Sequence, residues 1–166
     1  MDPTVNIAVF IVGAFVVLGF LLSWRNYRRK AHESKRLLDE FDAFAMSHNL
    51  AIDKKQTLNK NMIGIDRLNL KLVFLDRSTD ASQFHLVDLE EILDCRLISE
   101  KNASNGHIRS ICLQCTFKQQ DKPALIFPFY NEMKDDLFKL MRLSKKAAYW
   151  EKSINIFRET AELSMK

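Results

Sequence analysis

The sequence predicts an α+β chain: an N-terminal transmembrane helix, a linker helix, and a small antiparallel sheet, curled into a partial barrel or sandwich and closed by a long C-terminal helix. Three observations predict it. An uncharged stretch runs from Thr4 to Trp24, short β-type runs occupy the chain from Met62 to Phe129, and apolar residues return at three- and four-residue intervals after Leu137.

The stretch Thr4 to Trp24 reads as a membrane span. At about 1.5 Å rise per residue, a helix of this length covers roughly the 30 Å hydrocarbon core. A cleaved signal peptide fits less well, because Asp2 precedes the run and the bulky Phe20, Leu21, Leu22 and Trp24 close it. Lys and Arg all lie on its C-terminal side, so the expected topology is single-pass in the inner membrane, N-terminus out and the remainder cytoplasmic. Within the span, Gly13, Gly19 and Ser23 are small enough for another helix to approach, which makes them the candidate membrane-helix packing residues. The following stretch holds six basic residues, Arg25, Arg28, Arg29, Lys30, Lys35 and Arg36, against Glu33 alone. They are the candidate contacts to anionic lipid headgroups, each contributing about 1 kcal/mol near a charged leaflet.

An amphipathic helix is expected from Glu33 to His48, where Leu37, Leu38, Phe41, Phe44 and Ala45 form a stripe; Asn49 is its stop. Residues 53–61 are polar and read as a connector, with at most a short strand around it. The period then changes. Met62–Asp66 and Leu70–Leu75 are spaced for a tight hairpin, Phe84–Val87 adds a strand, and Asp88 is placed to cap a turn through Leu89–Leu93. Cys95–Ser99 is extended, Asn102–Gly106 is a turn signal, and His107–Phe117 alternates, with Arg109, Ile111, Leu113, Cys115 and Phe117 on one face. Ala124–Phe129 is the last strand. After it Leu137, Leu140, Leu143, Ala147, Trp150, Ile154, Phe157 and Ala161 lie along one helix face, to plug the sheet or, beyond Ile154, to reach a partner. The organisation is therefore a span (4–24), a basic segment with an amphipathic helix (25–49), and a sheet domain with its closing helix (50–166).

Composition narrows the function. Roughly 135 residues beyond the span fall in the range of one domain. The net charge of +4 is modest, and no dense basic stripe or reader motif points to nucleic acid. Three cysteines in an expected cytoplasmic setting argue against a disulfide framework. Cys112 and Cys115 form a CxxC, but inside a strand their side chains point to opposite faces. His32, His48, His85 and His107 have no spacing that forces them together, there is no P-loop, and no catalytic, metal or cofactor residues are assigned. Asn102-Ala103-Ser104 matches the glycosylation pattern, which has no role on the cytoplasmic side.

The order of strands, short turn, strands and long helix, with Met62-Ile63-Gly64-Ile65-Asp66, Pro128-Phe129-Tyr130 and Ala147-Ala148-Tyr149-Trp150-Glu151, resembles uncharacterised bacterial single-pass membrane proteins with a pleckstrin-homology-like (PH-like) domain. The resemblance covers about Leu50 to Phe157 and brings no catalytic residues. It implies a non-enzymatic, membrane-anchored adaptor that binds a protein partner. The first hairpin lacks the basic cluster by which PH domains grip phosphoinositides; only Arg67 and Lys71 stand there. A small accessory subunit of a membrane complex, assembled through its transmembrane helix, is the alternative.

Overall fold

Why one helix covers the first quarter of the chain follows from its composition: from Pro3 to Asn49 no further proline interrupts it. The computed structural model describes residues 3–77, 82–103 and 106–164, with the side chains of 3–16, 26, 30 and 164 outside that description. Helix α1 runs Pro3–Ser47. It ends where expected, at Asn49, whose φ of 53° is left-handed, while the Leu50 N–H closes on the Ala45 carbonyl at 2.9 Å. The amphipathic helix expected over 33–48 thus continues from the preceding stretch as one element, one of the two arrangements open to it.

The expectation of a transmembrane helix over 4–24 is corrected. Among the described residues, no helix is long and apolar enough to cross a membrane. The apolar part of α1 whose side chains are described runs from Val17 to Trp24, about 12 Å of helix, before Arg25 begins the basic stretch. The side chains of residues 4–16, the rest of the expected span, lie outside the described residues. The single-pass, inner-membrane placement is corrected with it.

The chain forms two units, residues 1–40 and 41–166. In the second, β1 (Ile52–Leu58), β2 (Asn61–Asp66), β3 (Lys71–Asp76) and β4 (Gln83–Asp88) form an antiparallel sheet in the order β1-β2-β3-β4. A 3₁₀ turn, Leu89–Glu91, leads to a second antiparallel sheet, β5 (Ile92–Lys101), β6 (Ile108–Phe117) and β7 (Leu125–Asn131), and α2 (Leu137–Ser164) follows. The α+β class and the closing helix stand; the single curled sheet does not. Two sheets of four and three strands form, and neither closes, because the 3₁₀ turn separates β4 from β5 and the two share no ladder. Asp88 also departs from expectation: its carboxylate pairs with Lys71 across β3 and β4 and makes no cap bond. The expected connector at 53–61 is largely strand β1.

The core lies between the sheets and α2. Ile63, Ile65, Leu72 and Phe74 meet Leu113, Phe127 and Phe129, with Phe74 and Phe127 edge to face at 4.4 Å, under Leu143, Ala147, Trp150 and Ile154 of α2. Burial along β6 follows the predicted alternation through Ile111, Leu113, Cys115 and Phe117. In α2 the predicted seam holds from Leu143 to Ala161, while Leu137 is exposed. Ile154 and Ala161 are fully buried, so the seam beyond Ile154 stays on the domain. The β1–β2 sheet is covered on its other face too. Phe41 of α1 presses on Gly64, where a Cβ would stand 2.7 Å from the Phe41 ring, so only glycine admits that approach.

Candidate functional site

A basic groove between β1 and α2 is the candidate site. It begins with the position of β1, which among the described residues pairs only with β2 and is therefore an edge strand. A β-bulge between Ile52 and Lys54 leaves Asp53 out of the ladder, and its carboxylate accepts the Arg67 N–H at 2.8 Å. The next side chains alternate. Lys54 and Gln56 point to α2, where the Lys54 Nζ donates to the Tyr149 hydroxyl at 2.9 Å and the Trp150 indole N–H donates to Gln56 Oε1 at 2.8 Å. Lys55 points the other way, to the carboxylate of Asp42 at 2.6 Å.

Helix α2 supplies the facing wall. Arg142, Lys145, Lys146 and Tyr149 occur at i, i+3, i+4 and i+7, which places them on one face beside the buried seam of Leu143, Ala147 and Trp150. Together with Asp53, Lys54, Lys55, Gln56 and Trp150 these residues line a groove of about 670 Å³. Five cations stand against one lining carboxylate. Lys55 is answered by Asp42, but among the described residues no carboxylate pairs with Arg142, Lys145 or Lys146.

The titratable groups register this field. Partial burial, and then the Arg142 charge, draw the Lys146 ammonium below the ordinary lysine range. Hydrogen bonds from Lys54 and with Ser153 draw the Tyr149 phenol below its ordinary value. Aromatic faces hold the adjoining cations: Lys54 Nζ is 5.4 Å from the Tyr149 ring and Arg67 lies 5.0 Å over Phe157. The chemistry such a site supports is the binding of anions with an apolar or aromatic component. A second hollow of about 600 Å³ at the β1–β2 turn is more balanced: Lys60, Lys134 and Lys139 face Asp135, which already accepts Asn59 at 2.5 Å.

The residues expected to act lie elsewhere. Arg25, Arg28, Arg29, Lys35 and Arg36 are exposed along α1, with Arg28 5.4 Å over the Trp24 ring; the Lys30 side chain is outside the described residues. Gly19 faces open space and Ser23 is exposed, while the surroundings of Gly13 lie outside the described residues. Cys112 and Cys115 diverge, as the strand requires, and Cys115 instead meets Cys95 on β5 with Sγ atoms 3.1 Å apart. The hydrogen bond from the Cys115 thiol, and then burial, push the Cys95 thiol far up. Of the expected turn at 102–106, residues 104 and 105 lie outside the description.

Sequence reading missed the groove because its two walls are distant in the chain and each is unremarkable alone. The available signal was the helical spacing of Arg142, Lys145, Lys146 and Tyr149 next to the apolar seam. No family model, curated protein or solved structure matches this chain.

Proposed function

We propose that this chain is a non-enzymatic binding module, which engages an anionic protein partner through the β1–α2 groove. One observation carries the reading: Arg142, Lys145 and Lys146 converge on Lys54 beside Tyr149 and Trp150, and no carboxylate among the described residues pairs with the three helix cations. Like charges brought together without counter-charges raise the energy of the free protein, and an anionic partner relieves that repulsion. The aromatic walls add apolar area, which favours a polypeptide over a bare ion.

Titration of the full chain with poly-L-glutamate, followed by backbone amide shifts, tests this reading. Shifts confined to residues 53–56 and 142–150 are expected, and Lys145→Glu with Lys146→Glu weakens binding by about tenfold or more, the scale of losing two charge contacts. Shifts elsewhere, or unchanged affinity in the charge-reversed variant, contradict it.

A further inference from the structure

Asp53, Lys54, Lys55 and Gln56 are consecutive, and all four line the groove. Side chains in a strand alternate between faces. A surface shared by four successive residues must therefore run along the strand's edge, and this edge is the free one, since β2 occupies the other side. Among the described residues, no backbone group outside β2 bonds to the main chain of Lys54–Leu58.

From this geometry we infer that the partner enters as an extended acidic segment that adds to β1 as a further strand of the four-stranded sheet. The inference rests on the groove being the binding surface. Main-chain hydrogen bonds to the open edge supply the register, and alternate side chains supply recognition. The two walls match in length: residues 53–56 of β1 extend about 10 Å, and Arg142 to Tyr149 rises about 10 Å along α2. An added strand presents every second side chain to the helix, at a repeat of about 6.8 Å. The cations of α2 stand one turn apart, Arg142 and then Lys145 with Lys146, at about 5 Å. The long Lys and Arg stems span the difference of about 2 Å, so that acidic residues at alternate positions reach successive cations. A neighbouring apolar or aromatic side chain reaches Tyr149 and Trp150.

Lysines on an edge strand also protect it from unwanted pairing. That role accounts for Lys54 and Lys55. It gives no reason for three further cations facing the same edge from α2, and their charge is what selects an acidic strand over an apolar one.

The test uses the full chain and three probes: a short fluorescein-labelled peptide of alternating Glu and Val with a central Tyr, the same peptide N-methylated at alternate residues, and inositol hexakisphosphate. The unmodified peptide is expected to bind and to slow amide exchange in β1. N-methylation removes the main-chain donors and leaves the charges, so affinity falls by about tenfold or more, the equivalent of one or two net hydrogen bonds. Equal binding of the two peptides overturns strand addition and leaves the groove reading intact. Failure of both peptides and of poly-L-glutamate overturns the groove reading itself. Binding of inositol hexakisphosphate without either peptide replaces the acidic segment by a phosphate ligand.

Discussion

Two surfaces of this chain are rich in Lys and Arg, and they are built in opposite ways. Along α1 the basic residues lie close together in the sequence, Arg25, Arg28, Arg29, Lys35 and Arg36 are exposed, and the helix that carries them also exposes Trp24 and Tyr27. In the β1–α2 groove, cations from two distant segments are brought together by folding, and a fully buried Trp150 forms the floor. The first has more local charge and the second has shape. Specific recognition needs charge fixed in a shaped and partly desolvated setting, because exposed long side chains are screened and entropically free. The groove therefore carries the functional argument, although the α1 stretch is the more conspicuous in the sequence.

The largest expected effect separates the two surfaces through their tryptophans. Trp150→Ala empties the core beneath the groove and costs about 3–5 kcal/mol of stability. Trp24→Ala, on the exposed face of α1, changes stability by about 0.5 kcal/mol or less. Chemical denaturation of the two variants checks both; equal losses would remove the distinction between a built site and a decorated helix.

Gly64→Ala tests the packing that fixes β1 and β2 in place. The added methyl meets the ring of Phe41, which is fully buried, so a loss of about 1–3 kcal/mol in chemical denaturation is expected. Asp66 anchors the turn after β2. Burial raises its pKa, but hydrogen bonds from the Asn69 N–H and side chain and from the Ala51 and Leu68 N–H groups outweigh this and hold it below 3.8. Its contribution is therefore present above the ordinary carboxylate range and is lost as pH falls through the folded value. Asp66→Asn is expected to cost about 1–3 kcal/mol at neutral pH and to flatten the acid limb of the stability profile.

Smaller effects sharpen the comparison by binding. Affinity for the acidic peptide falls as pH rises toward 10, because Lys146 loses its proton and Tyr149 gains a negative charge, both earlier than ordinary lysine and tyrosine. Arg28→Glu with Arg29→Glu, on α1, leaves peptide affinity unchanged within about twofold, as expected for screened charges outside the groove. A loss equal to that of the Lys145 and Lys146 variant would mean that the peptide reads net charge alone.

Much of the fold was legible because its signals are local. The hairpin pairing Met62 with Leu75, the alternation through Ile111 to Phe117, the stop at Asn49 and the seam from Leu143 to Ala161 each follow from a short window of residues. What stayed hidden depends on tertiary partners. Strand β1 reads as polar because it is an edge with exposed lysines, and Asp88 reads as a cap although Lys71 of the neighbouring strand takes it. The division into two sheets depends on the absence of a ladder across a short 3₁₀ turn, which no periodicity announces. Cys95 and Cys115 are likewise paired only by register. The groove needed both β1 and the basic face of α2, and the expectation of a purely apolar role for α2 passed over Arg142, Lys145 and Lys146.

The most direct test of the central claim is a charge exchange. The Lys145→Glu, Lys146→Glu chain is titrated with the alternating Glu and Val peptide and with its counterpart in which every Glu is Lys. The account predicts that the variant loses the acidic peptide and gains the basic one, while the unaltered chain shows the reverse preference. Retention of the acidic peptide by the variant, with no gain for the basic one, would contradict it.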